Sequence, residues 1–255
     1  MTTISLTAPR SWEDLTQKQL EFVSKCYLKK LTREEFLSIC FLKFTNCQLC
    51  WRANKWQGIK RIFYLKHKRN KFSLTAEEFG SFCERLAFLV DSIGLTTAPK
   101  IGKLIAPNYQ LYEVTLDEYL IADTHYLAYS ATEKDEHLSK MIATLWRPAN
   151  TSFNEDNIER RARKLRLKPE VKKAIYIWYS GVKAWLKEKY PLVFTNPDSA
   201  SDIPGDERIM GLLRMLNGGK PQDNPEVLKT QIHEILFELN QRIEENQKQK
   251  RYATK

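Results

Sequence analysis

Apolar residues recur three and four positions apart along most of the chain, as at Phe36, Cys40, Phe41 and Phe44, which is the spacing of a helix that buries one stripe. Four of these runs begin alike: "LTQKQL" at 15–20, "LTREEF" at 31–36, "LTAEEF" at 74–79 and "VTLDEY" at 114–119. In each, a threonine (Thr16, Thr32, Thr75, Thr115) is placed to cap a helix N-terminus. The residue three positions on (Gln19, Glu35, Glu78, Glu118) reaches back to the threonine N–H, giving a reciprocal capping box. The preceding Leu15, Leu31, Leu74 or Val114 stands where it packs on Leu20, Phe36, Phe79 or Tyr119 as a hydrophobic staple. The sequences between these starts do not match, so the capping chemistry repeats but the architecture does not.

These signals predict helices at about 16–29, 33–53, 76–91 and 116–131, then near 134–146, 155–165, 170–189, 206–217 and 225–248. Two stretches break the pattern. In "IKRIFYLKHKRNKFSLT" aromatic and branched residues flank the polar "HKRN", which predicts a small β-hairpin at about residues 59–75. The segment "LTTAPKIGKLIAPNYQLYEV" carries two prolines and no helical period, so an extended crossover loop is expected at about 95–114. The fold class is therefore mainly α, a multi-helix globular bundle with one hairpin. The expected organisation is a helical body at about 1–193 with the hairpin inserted, a linker or surface loop at about 194–207 and a C-terminal helical hairpin at about 208–248 packed on the body. The polar end at about 249–255 is expected to be a disordered tail.

With 255 residues, 42% of them hydrophobic and 11% aromatic, the chain has the material for a substantial core. No run approaches the ~18–20 apolar residues of a membrane span. The start "MTTISLTAPRSWEDL" lacks the basic-then-apolar order of a secretion signal, so a soluble, cytoplasmic protein is expected. The five cysteines, Cys26, Cys40, Cys47, Cys50 and Cys83, are odd in number and lie in apolar segments, which suits reduced buried thiols. A formal net charge of +10 favours acidic partners: nucleic acid, a membrane surface or an acidic protein.

Candidate chemistry is sparse. Cys47-Gln-Leu-Cys50 lacks the second ligand pair of a zinc site; Cys40 and His67 complete a set only on paper, since one lies on an apolar stripe and the other in a basic turn. His67, His125, His137 and His233 fall at unrelated spacings, and Asp117, Glu118, Asp123 and His125 are accounted for by capping, helix dipole and divergent faces. No catalytic, cofactor-binding or metal site is assigned, no small-molecule substrate is evident, and no enzyme is expected. The basic residues carry more. Lys55, Lys60, Arg61, Lys66, Lys68, Arg69 and Lys71 have no acid among them and interleave with aromatics; Arg160, Arg161, Arg163 and Lys164 form a second run. Both are candidate contacts for nucleic acid or an acidic partner.

The stretch "ATLWRPAN" reads as a helix-ending seam. Pro148 disfavours helical geometry at Arg147, Trp146 fills the turn, and the Arg147 guanidinium serves either the last carbonyls of its helix or a carboxylate of the 116–131 helix.

The order of "SWEDLTQKQLEFV", "VTLDEYLIADTHYLAY", "HLSKMIATLWRP" and "YIWYSGVKAWLKEKYPLVF", followed by a late amphipathic helix after Gly218-Gly219, resembles a group of helical proteins encoded in the tail-assembly gene modules of tailed phages and prophages. The group includes tail-assembly-chaperone-like and tail structural accessory proteins. The resemblance implies a non-enzymatic assembly or structural role through protein–protein contacts, with other phage or particle proteins or a second copy of the chain as partners. It also implies possible residence in a virion or phage-like particle, and it transfers no individual functional residue. The alternative is a nucleic-acid-binding accessory protein using the basic hairpin at 55–71.

Overall fold

The computed structural model describes residues 4–50, 55–57, 60–194, 214, 216–220 and 224–253. The order is α1 (Gln17–Tyr27), α2 (Arg33–Phe44), β1 (Cys47–Leu49), β2 (Lys55–Gln57), β3 (Lys60–His67), β4 (Asn70–Thr75), α3 (Ala76–Glu84), α4 (Phe88–Asp91), α5 (Leu116–Thr132), α6 (Asp135–Leu145), α7 (Ile158–Lys164), α8 (Pro169–Lys189), α9 (Pro191–Phe194), α10 (Asn224–Lys229) and α11 (Ile232–Ala253). The mainly α class and the small antiparallel sheet follow. No helix among the described residues is long and apolar enough to cross a membrane.

All four threonine starts form complete capping boxes, with each threonine oxygen accepting from the third helical N–H and each Gln or Glu returning the bond. Each satisfies two backbone donors that the helix itself cannot, and such a cap contributes about 1 kcal/mol.

The chain separates into two compact units that do not meet at the composition break near 194–207, most of which lies outside the described residues. One comprises residues 1–99 and 167–181, the other 100–166 and 182–255. The long α8 belongs to both, its first thirteen residues (169–181) to one unit and its remaining eight (182–189) to the other.

In the first unit, α2 ends at Phe44 and not near residue 53. Asn46 takes a left-handed φ of 52°, and Cys47–Leu49 leaves as strand β1, so the Cys47–Cys50 segment is extended and not helical. The hairpin is part of a larger sheet. β3 is central, paired antiparallel with β4 along one side and with β1 and β2 at opposite ends of the other side. Side chains alternate across it. Phe63 and Leu65 of β3, Phe72 and Leu74 of β4 and Leu49 of β1 join a core of Trp12, Leu20, Val23, Phe36, Leu37, Cys40, Phe41, Phe79, Cys83, Leu86, Leu89, Ala174 and Ile177. Trp12 closes the edge of this core, its indole N–H donating to the carbonyls of Phe88 and Ser92 at 3.0 Å. The predicted 76–91 helix is broken between α3 and α4 by the turn at 85–87. Gly94 lies against the Trp12 ring, and its carbonyl sits where a Cβ on Gly181 of α8 would stand.

In the second unit α5 packs on α6, and α6 on α7; Ala143, Ile158 and Ala162 form a small core with Ile121, Phe153 and Leu165. The predicted 155–165 helix opens with a 3-10 turn (Glu155–Asn157). The 95–114 segment is not extended throughout: short extended pieces, bridged at Ile101–Leu104 and Ile105–Arg147, alternate with turns at 102–103, 109–110 and 112–113, and Gly102 and Leu111 take left-handed φ of 50° and 63°. The expected 225–248 helix is divided at Thr230–Gln231 into α10 and α11, and most of the expected 206–217 helix, its partner in the expected hairpin, lies outside the described residues. α11 begins against the start of α5: Leu116 N–H donates to Thr230 O at 2.9 Å, and Ile232 N–H to Val114 O at 2.9 Å. It continues to Ala253, into the expected tail, because Lys248 with Glu244 supplies an i,i+4 pair among strong helix formers.

Gly181 is required by close approach of backbone. Gly181→Ala should lower unfolding stability by about 2 kcal/mol, the cost of forcing an atom into packed backbone. Urea denaturation checks this, and an unchanged midpoint would contradict the contact.

Candidate functional site

The helix-ending seam is built around a buried carboxylate. α6 stops at Leu145, Trp146 leaves helical geometry with ψ 118° and is almost wholly buried, and Arg147 exchanges backbone hydrogen bonds with Ile105. The Arg147 guanidinium pairs with Glu118, the capping-box residue of α5, whose other oxygen accepts from Thr115 N–H at 3.2 Å. One carboxylate thus starts α5 and anchors the end of α6. Arg161 of α7 stands near the same charges; its Nε and Nη2 are buried without hydrogen-bond partners, and burial, with Arg147 close by, lowers its pKa. A cavity of about 350 Å³ opens beside the seam, walled by Ile105, Glu113, Arg147, Pro148, Asn150 and Ser152. Its cation is already committed to Glu118, so the seam is mainly a structural device.

Asp123, His233 and His67, which the sequence also singled out, are engaged in hydrogen bonds, whereas the buried Nδ1 of His137 has no hydrogen-bond partner among the described residues. Lys183 binds both oxygens of Asp123 at 2.7 and 2.8 Å. His233 is buried and has a fixed tautomer: Nε2–H donates to Gln110 O at 2.7 Å, and Nδ1 accepts from Tyr190 at 2.8 Å. Burial lowers its pKa. His67 donates from Nδ1 to Thr45 O at 2.9 Å, with Cys47 Sγ 4.0 Å away across the strand pair. All five cysteines are free, and among the described residues no group of three metal-ligating side chains exists. Within the first core the Cys40 thiol is pushed up by its hydrogen bond to Cys26 and by burial, while Cys26 falls to about 7 through that same bond. His125 of α5 and His137 of α6 lie with ring centroids 5.9 Å apart, near Lys140, which joins Glu136 and Glu159.

The two basic runs fall in different units. Lys66, Lys68, Arg69 and Lys71 are exposed along β3, its turn and β4, whereas Arg61 is exposed with its guanidinium 4.9 Å from the Phe63 ring centroid. Lys55 and Lys60 stand in described strands, but their side chains lie outside the described residues. In the second run Arg163 pairs with Glu159 and Arg160 donates to Asn157, so only Lys164 is both exposed and unengaged. The first run is therefore the stronger cationic surface.

Sequence reasoning missed large apolar side chains left exposed at the end of α1 and at the end of α4. Tyr27, Leu28, Val90 and Ile93 are 39%, 50%, 41% and 54% exposed, where such side chains are usually inside. Tyr27 reaches α4 through its hydroxyl, which donates to Leu89 O. Arg33 holds Asp91 and, at 3.1 Å, Glu84; these bonds raise the Arg33 pKa and lower that of Asp91. The expected helices at 16–29 and 76–91 include Tyr27, Leu28 and Val90, and their periodicity gives no sign that these positions lack cover; Ile93 lies just beyond the second.

No family model, no curated protein and no solved structure matches this chain.

Replacing Arg147 by Ala leaves Glu118 buried with its main counter-charge gone. A loss of about 2–3 kcal/mol is expected in urea unfolding. Unchanged unfolding together with lost partner binding would assign Arg147 to a surface instead. A second outcome concerns pH. Burial first, then Lys140 and His137, lowers the His125 pKa below the ordinary 6.5, so the folded state takes up its proton less readily than the unfolded chain. The stability this contributes is present above pH 6.5 and is lost as pH falls through the folded value. His125→Gln should flatten thermal stability below pH 6.5, and an unaltered slope would exclude the group.

Proposed function

We propose that the protein is a non-enzymatic assembly or structural protein acting through protein–protein contacts in the building of a phage tail or related particle. The observation that carries this reading is the exposed apolar surface of Tyr27, Leu28, Val90 and Ile93 beside the Arg33–Asp91–Glu84 ion pairs. Apolar patches with a polar rim mark contacts with other macromolecules, and aromatic and aliphatic anchors carry most of the energy of such contacts. Further large apolar side chains, among them Leu127 on α5 and Phe237 and Tyr252 on α11, are exposed in the second unit. The resemblance of the helix order to tail-module proteins points to the same role. The partners on this reading are other particle proteins or a second copy of the chain, met in the cytoplasm during assembly.

A cell that makes the particle and lacks this gene should yield no assembled tails, and the unaltered gene should restore them. The Leu28→Asp, Ile93→Asp double variant changes only exposed positions and should retain its melting temperature. It should restore roughly tenfold fewer particles or none, the effect of losing more than one interface anchor. Full yield without the gene, or with the double variant, would contradict the proposal.

A further inference from the structure

We propose that the outer face of the sheet binds single-stranded nucleic acid, a second contact independent of the apolar surface. The register of β3 with β4 places Lys66 directly opposite Lys71 and Tyr64 opposite Ser73; β1 adds Gln48 opposite Lys66. These residues alternate with the core-facing Phe63, Leu65, Phe72 and Leu74, so they share the face turned away from the core. Two lysines placed opposite each other on neighbouring strands repel, and a protein gains nothing from that arrangement in the absence of an anion.

No ion pair among the described residues relieves the repulsion. Between Glu35 and Glu77 the sequence contains no aspartate or glutamate, and among the described residues Lys66, Lys68, Arg69 and Lys71 form no ion pair. The turn adds to the same charge: Lys68 adopts a left-handed φ of 55°, a position that glycine fills without steric cost and that a lysine occupies here. The four cations therefore crowd one end of the face at the expense of local stability.

Charge alone would suit any polyanion, and the aromatic ring narrows the choice. Tyr64 lies two residues before Lys66 on the same strand face, about 6.6 Å along the strand. A base stacked on Tyr64 leaves its neighbouring phosphates within reach of Lys66 and Lys71, with Lys68 and Arg69 of the turn taking the next. Bases are available for stacking only where they are not paired, which favours single strands over duplex.

The test is fluorescence anisotropy with a labelled single-stranded 20-mer of mixed sequence, the same sequence as duplex, and polyphosphate, each titrated from about 50 to 200 mM salt, where phosphate contacts are resolved. The single strand should bind most tightly. The Lys66→Gln, Lys71→Gln variant removes a repulsion and so keeps the fold; it should bind more weakly and lower the slope of log affinity against log salt by about 1.4, or about 0.7 per phosphate. Tyr64→Leu should weaken single-strand binding about 5- to 100-fold, the effect of one lost base stack, while leaving the slope and polyphosphate binding unchanged. Lys68→Gly should bind more weakly yet melt at a higher temperature. No binding of the single strand at low salt, tighter binding of duplex, or a Tyr64→Leu protein that binds the single strand normally would each overturn the proposal.

Discussion

The register of β3 is the constraint on which the first unit turns. A strand sends alternate side chains to opposite faces, so the position that buries Leu65 among Phe36, Phe41 and Phe79 also turns Tyr64 and Lys66 outward. A slip of one residue would carry Lys66 into that core and is forbidden by the cost of burying an unpaired ammonium. The sheet is pinned from three directions: β4 runs straight into the capping box of α3, β1 follows directly from α2, and the Lys68–Arg69 turn fixes the hairpin offset. Core packing thus fixes that Lys66 and Lys71 share the outer face, opposite each other.

The second unit is organised by a different device. Glu118 is a carboxylate buried at a helix start, where the backbone N–H of Thr115 and the Arg147 guanidinium both stabilise its charge. Because Arg147 also bridges to Ile105, the same group fixes the extended loop, the first turn of α5 and the last turn of α6. His233 does the equivalent for the C-terminal helix, held between Tyr190 and the Gln110 carbonyl. In both cases buried polar groups select one arrangement of elements whose apolar faces alone would tolerate several.

Local chemistry made much of the fold legible in sequence. The four threonine boxes mark α1, α2, α3 and α5 to within a residue at their starts, because a cap is an interaction among neighbours in the chain. Helix ends were harder to read: Asn46 ends α2 through its backbone conformation, and the apolar run "FTNCQLC" carries on past it without a glycine or proline to signal the stop. Arg147 could be narrowed to two partners, but only the packing of α6 on α5 selects Glu118. Tyr27, Leu28 and Val90 look in sequence like any other helix-stripe positions, since exposure is a property of what the rest of the chain leaves uncovered. The division into two units escaped notice for a similar reason: the chain crosses between them at 99/100, at 166/167 and inside α8 at 181/182, and the last of these carries no change of composition.

On the two proposals, the first unit offers exposed apolar side chains to a protein partner and a cationic sheet face to a single strand, both carried by elements that share one core. Amine-reactive ester labelling of the protein, free and with a single-stranded oligonucleotide bound, tests the most specific part of this account directly. Lys66, Lys68 and Lys71 should react readily in the free protein and be protected in the complex, while Lys25 of α1 and Lys164 of α7 react equally in both. Uniform protection of all these lysines, or none at Lys66 and Lys71, would contradict the placement of the contact on the sheet.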